Sequence, residues 1–180
     1  VADGFAMRRL KAPARLSRSP KRAMREIGWA AFGDVARQLA ARIAERFHPD
    51  TVVGIAKGGV FAGGALAAAL QADFRPVRIE KRRRDAAPLP DTLDQLPDLT
   101  SRKVLVVDDV CASGSTLAKA RALCKKAGAR EVKTAVLVKR PGGARPDWFA
   151  LETDELILFG WDYQLDGAGA GAGDPGEVGV

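Results

Sequence analysis

Residues 104–117 read Val-Leu-Val-Val-Asp-Asp-Val-Cys-Ala-Ser-Gly-Ser-Thr-Leu. Two adjacent carboxylates, Asp108 and Asp109, end an apolar run, and small or hydroxylated residues follow from Ala112 to Thr116. Where such a loop opens a helix, backbone N–H groups and the positive helix end converge on one spot. Gly114 permits close backbone approach, and Ser113, Ser115 and Thr116 add hydroxyl donors. Such a nest suits a dianionic phosphate. The two acids beside it are acceptors for sugar hydroxyls, or for magnesium through water. A phosphate nest and a diol or metal site one sugar apart describe a ribose 5-phosphate.

A strand must carry the acids and a helix must close the nest. Residues 103–107 read as that strand. Leu117, Ala120, Leu123, Cys124 and Ala127 share a helical face, with Gly128 where a C-cap glycine falls. Upstream, Val35, Leu39, Ile43 and Phe47 form one stripe and predict a helix over 34–47, ended by Pro49. Residues 51–56 read as a short buried strand, followed by Lys57-Gly58-Gly59 and a helix of small residues over 60–71. Further strands are predicted at 76–79 and 132–138, with apolar stretches near 148–151 and 156–159. Strands alternating with helices predict an α/β fold, a central, mostly parallel twisted sheet flanked by helices. Ligands bind such sheets at the carboxyl ends of strands, and Lys57-Gly-Gly and Asp108-Asp109 both fall at such ends.

Composition narrows the class. The 180 residues are enough for one domain with a real core. No apolar run approaches the roughly 18 residues of a membrane span, and residues 1–26 lack the apolar core of a secretory signal. The net charge of +7 is concentrated at the start. Residues 1–26 carry eight Arg and Lys against Asp3 and Glu26, so the rest is nearly neutral. Residues 1–25 therefore read as a basic arm, either solubilising or contacting nucleic acid or another partner. Two cysteines without a Cys-x-x-Cys pair and a lone His48 exclude a zinc cluster and predict a reduced, cytoplasmic protein. Cys111 reads as a small buried residue. No Gly-x-x-x-x-Gly-Lys-Ser/Thr occurs, which disfavours a P-loop hydrolase.

Residues 108–116 resemble the signature of type I phosphoribosyltransferases, and the similarity runs from Trp29 to Tyr163. The resemblance implies that Asp108 and Asp109 contact the ribose hydroxyls of phosphoribosyl pyrophosphate and that residues 112–116 hold its 5-phosphate. Val53-Gly-Ile-Ala-Lys-Gly-Gly59 is similar to the family's pyrophosphate loop. Ala56, Lys57, Gly58 and Gly59 would then face the diphosphate through a cis Ala56–Lys57 bond. Residues 81–100, with Lys81-Arg-Arg-Arg84 and three prolines, resemble its mobile lid. Residues 137–143 are similar to the strand end where the purine-using branch reads a 6-oxo group with a lysine, here Lys139. Residues 140–165 resemble its C-terminal hood, with Leu156, Ile157 and Trp161 at the base and Asp162 joining Asp108 and Asp109 as a metal ligand. The implied domain spans 26–165, and the Gly/Ala-rich tail 166–180 is expected to be disordered.

The resemblance implies Mg2+ as cofactor, phosphoribosyl pyrophosphate and a nucleobase as substrates, and a homo-oligomer. Two departures bear on the base. Leu156 stands where the family stacks an aromatic on the purine, and Ala112 replaces an aspartate that protonates it. The expected activity is transfer of ribose 5-phosphate to a 6-oxopurine in nucleotide salvage. These departures also leave open a non-purine acceptor, or a regulator that senses phosphoribosyl pyrophosphate and uses the basic arm.

Overall fold

The structure, a computed structural model, describes residues 23–79 and 96–162. Residues 1–22 of the expected arm, 81–95 of the expected lid and the tail 166–180 lie outside them. The elements run β1 (Met24–Ile27), α1 (Trp29–Ala44), β2 (Thr51–Ala56), α2 (Gly58–Leu70), β3 (Asp73–Arg78), β4 (Lys103–Cys111), α3 (Ser115–Lys126), β5 (Glu131–Lys139), β6 (Trp148–Glu152) and β7 (Leu156–Phe159). Five strands form a parallel sheet in the order β3-β2-β4-β5-β6, and β1 pairs with β7 in a separate parallel ribbon.

The middles of the central strands are buried, as parallel strands covered on both faces must be, while the rim ends of β2 and β4 are partly exposed. Val104 and Val106 of β4 turn to the side of α3, whose Leu117, Ala120 and Cys124 close that core. Leu105 and Val107 turn to the other side, against α1 and α2. Leu39 and Ile43 of α1 are fully buried there, each contributing about 1.5–3 kcal/mol of apolar burial.

Helix α2 reaches closer to the sheet than an ordinary helix. A Cβ on Gly54 would stand 2.7 Å from the Gly59 carbonyl oxygen and 2.8 Å from the Phe74 ring, and one on Gly63 would stand 2.9 Å from the same ring. The two glycines let α2 lie against β2, with the Phe74 ring filling the space beside them.

Several boundaries differ from expectation. β1 begins at Met24, inside the expected arm, because Met24–Ile27 finds a partner in β7 across a long sequence gap that local periodicity does not reveal. β4 continues through both acids to Cys111 instead of ending at 107. The expected hood divides: β6 joins the main sheet, and only β7 stands apart with β1. The end of the expected lid belongs to the body, since Leu99 is buried and its N–H bonds the Ala127 carbonyl at 2.9 Å.

β6 is pinned to β5 by a polar clip. The Asp147 carboxylate accepts the Thr134 N–H and hydroxyl, both at 2.8 Å, and pairs with Lys133 at 3.3 Å. Burial raises the carboxyl, but these partners outweigh it and hold its pKa below the usual value. A depressed carboxylate adds stability above its unfolded pKa of about 3.9, lost as pH falls through the folded value. Asp147→Asn is therefore expected to cost about 1 kcal/mol at neutral pH, a figure reduced for solvent exposure, with the difference vanishing in acid. Urea unfolding at pH 7 and pH 3 measures this.

Candidate functional site

The carboxyl ends of β2, β4 and β5 meet at one rim. Two of the three expected loops are brought together by main-chain contact. A Cβ on Gly58 would stand 1.6 Å from the Asp109 carboxylate, and one on Gly59 would stand 2.7 Å from the Val107 carbonyl oxygen and 2.9 Å from Asp108 Cα. Only glycines allow the first turn of α2 to sit on the acids. The Ala56–Lys57 peptide bond, which opens that turn, is cis. No acid lies in the first turn of α2 or of α3, and the carboxylates nearest the start of α2 are those of Asp108 and Asp109 from β4.

The acids are half-buried and shaped by their own backbone. Asp108 Oδ1 accepts the Asp109 N–H at 3.0 Å, and Asp109 Oδ1 accepts the Val110 N–H at 2.7 Å. Beyond them, a cavity of about 110 Å³ is lined by Asp108, Val110, Cys111 and residues 112–117. Since water fills about 30 Å³ in the liquid, this space admits a group of a few heavy atoms. Gly114 caps α3 at φ 75°, a left-handed backbone that turns the loop into the helix. The Ser113 hydroxyl donates to Ser115 Oγ at 3.2 Å. A larger hollow of about 490 Å³ lies at the opposite end of the sheet, between residues 96–100 and 126–128, away from these groups.

The loop after β5 supports the cavity wall. The Arg140 N–H bonds the Cys111 carbonyl at 2.8 Å, and the Ala144 N–H bonds the Ala112 carbonyl at 3.0 Å. A Cβ on Gly143 would stand 2.2 Å from the Ala112 oxygen. Burial, reinforced by the Asp108 charge, raises the Cys111 thiol, which keeps it protonated. It is a wall residue, not a nucleophile.

The expected base-binding residues divide. Lys139 is buried at the end of β5, its ammonium 2.6 Å from Glu152 Oε1 and 5.4 Å from the Phe149 ring centre. Leu156 is exposed beside Met24. Ile157 is instead a core residue, 8% exposed, because β7 turns it inward with Phe159. Trp161 is covered on both ring faces, stacked on Phe159 at 4.6 Å and on Phe61 at 4.9 Å. That sandwich docks the β1–β7 ribbon onto α2 and leaves no face for a base. The indole Nε1 is buried with no hydrogen-bond partner among the described residues.

Asp162 does not join the other acids. Its carboxylate accepts the Phe159 N–H at 2.9 Å, and no three acids, histidines or cysteines gather among the described residues. Asp108 and Asp109 alone fit a cation that keeps most of its ligands as water and phosphate oxygens, as magnesium does. The structure adds Arg78, exposed at the end of β3 and in register with Ala56. Its signal in the sequence was a cation closing a strand, hidden by the basic run that follows.

Gly58 and Gly64 make a paired test of the close approach. Gly64 has nothing within 4 Å of an added Cβ, so Gly64→Ala is expected to stabilise α2 by about 0.5–1 kcal/mol. Gly58→Ala is expected to cost about 2–3 kcal/mol by overpacking. Thermal unfolding of both variants distinguishes them.

A family model described as "Phosphoribosyl transferase domain" matches residues 28–168. An orotate phosphoribosyltransferase of Sulfurisphaera tokodaii is 30% identical over 113 residues, 63% of this chain and 55% of that protein. The transcriptional regulator GfcR of Methanosphaera stadtmanae is 31% identical over 126 residues, 64% of this chain and 62% of that protein. The chain thus spans under two thirds of the length of these curated relatives. The crystal structure of a purine phosphoribosyltransferase from Pyrococcus horikoshii superposes with a TM-score of 0.69 at 27% identity, covering 78% of this chain and 95% of that one. The glycine-packed rim, the cis bond before α2 and the nest closing α3 therefore stand in a matching sequence and fold, and the chain belongs to the phosphoribosyltransferase domain family.

Proposed function

We propose that this chain transfers ribose 5-phosphate from phosphoribosyl pyrophosphate to a nucleobase, with a 6-oxopurine as the acceptor and magnesium as the cofactor. The observation that carries this reading is the contact of Gly58 and Gly59 with Asp108 and Asp109, which sets a helix-end anion cradle directly against two sugar-hydroxyl acceptors.

In this reading residues 112–116 take the 5-phosphate through the first N–H groups of α3 and the nearby hydroxyls. Asp108 and Asp109 accept the ribose hydroxyls. The backbone from Ala56 to Gly59 faces the pyrophosphate, with the exposed Lys57 and Arg78 as cations beside it. When bound, magnesium supplies charge neutralisation to the pyrophosphate. The bond from the anomeric carbon to the pyrophosphate oxygen breaks, and a bond from a base nitrogen to that carbon forms. The base then releases the proton from that nitrogen. Positive charge builds on the sugar ring, where the two carboxylates stabilise it, and negative charge leaves towards the cradle. No covalent nucleophile is required, in keeping with a protonated Cys111 and an exposed His48 that precedes β2, at the opposite end of that strand from the Lys57 loop.

Lys139, at the same end of the sheet, supports an acceptor with a carbonyl oxygen. A second reading, a sensor of phosphoribosyl pyrophosphate without turnover, is favoured by the likeness to a transcriptional regulator and by Leu156 in place of an aromatic.

Incubation with Mg2+, phosphoribosyl pyrophosphate and single bases separates the two. Nucleotide and pyrophosphate are expected with hypoxanthine, guanine or xanthine. Tight donor binding with no product from any base would favour the sensor. Asp109→Asn is expected to keep the fold and lower turnover about 100-fold, and undiminished turnover would remove the two acids from the donor site. Arg78→Ala is expected to raise the KM for the donor while leaving that for the base unchanged, in steady-state assays varying each substrate.

A further inference from the structure

We infer that Glu152 is a positioning residue for the acceptor: it pairs with Lys139 and holds its ammonium aimed, and so sets how well the site takes a base with a ring carbonyl. The inference rests on the transferase reading and deepens it by naming a residue that acts through Lys139.

β5 and β6 run in parallel register with Lys139 opposite Glu152, and β4 places Cys111 opposite Lys139 on the other side. Lys139 is thus one strand away from the wall of the phosphate cavity. The lysine side chain is only 10% exposed, whereas that of Glu152 is 42% exposed. The pair therefore reaches from the interior to the rim, with the cation inside.

A buried ammonium with no counter-charge sheds its proton or destabilises the fold. The groups around Lys139 assign the counter-charge. From β4, Cys111 is held protonated, and Asp108 acts on that thiol. From β6, Phe149 offers a ring face and Glu152 a carboxylate at 2.6 Å. Arg140, next in sequence, turns its guanidinium to the carbonyl oxygens of Thr153 and Glu155. Glu155 in turn pairs with Arg25 at 2.7 Å. Glu152 is an acid in direct contact with the Lys139 ammonium, at 2.6 Å. An ammonium carries three N–H donors. One directed at Glu152 fixes the stem, and the others serve a carbonyl oxygen at the rim.

The test compares wild type with Glu152→Gln, Glu152→Asp, Lys139→Met and the Lys139→Met/Glu152→Gln double variant, using donor, Mg2+ and hypoxanthine. Glu152→Gln is expected to raise the KM for hypoxanthine about tenfold and leave that for the donor unchanged. Glu152→Asp keeps the charge on a shorter stem, so the KM for the base rises less than in Glu152→Gln while that for the donor stays unchanged. In the Lys139→Met background, Glu152→Gln adds no further loss.

An unchanged base KM in Glu152→Gln would overturn the inference while wild-type turnover kept the transferase reading. Equal losses in both lysine backgrounds would overturn it too, making Glu152 merely structural. If Glu152→Gln fails to fold, an unchanged base KM in Glu152→Asp overturns it instead. A wild type that turns over no base sinks the transferase reading and this inference with it.

Discussion

The rim depends on one contact between main chains: the first turn of α2 lies on the end of β4, where side chains normally keep helix and strand apart. Gly58 and Gly59 make this possible at the acids, and Gly54 and Gly63 repeat it deeper along β2. The two halves of the candidate site come from residues about fifty positions apart in sequence and are brought together by a close approach of the first turn of α2 to β4. The contact is steric, so salt does not screen it as it screens exposed ion pairs worth at most about 1 kcal/mol. It also fixes where the N–H groups of α2 point, because a helix that cannot roll or lift cannot re-aim its end.

The same logic continues across the sheet. The loop after β4 is held by that after β5 through Arg140 and Ala144, and a close approach at Gly143 again excludes a Cβ. β5 is joined to β6 by the Asp147–Thr134 clip and by Lys139–Glu152. The β1–β7 ribbon is fastened differently, by the Trp161 sandwich between Phe61 and Phe159. Along this series the fastening passes from backbone to polar clip to aromatic stack, each more tolerant of side-chain change than the last.

This gradient explains what could be read from the sequence. Strand β2 was legible residue for residue, and the parallel order of layers followed from alternating strands and helices, because both are local patterns. Lys57-Gly-Gly was legible because close backbone approach restricts residue choice to glycine, and Asp108-Asp109 because two adjacent carboxylates end an apolar run. β1 was not, since its only reason to be a strand is β7, more than a hundred residues on. The roles expected of Ile157 and Trp161 failed for a related reason: nothing local reveals that β7 turns Ile157 inward or that Phe61 of α2 covers the indole. Arg78 and Glu152 went unread because each gains its meaning from register with a neighbouring strand.

The donor and acceptor halves of the rim thus differ in what encodes them. In the proposed transfer, the donor half combines main chain shaped by close-packed glycines with the carboxylates of Asp108 and Asp109, while the acceptor half consists of single side chains at strand ends: a lysine paired with a neighbouring glutamate, and an exposed leucine at the start of β7. Changing any of these leaves the sheet intact. A fold built in this way keeps its sugar-phosphate chemistry while its base preference drifts, which accords with relatives whose printed names span orotate and purine transferases and a regulator. With Trp161 consumed in packing, discrimination among bases in the proposed transfer falls to polar contacts at the ends of β5 and β6. Buried polar groups reject a mismatched partner more strongly than apolar walls do, because the mismatch leaves them unpaired.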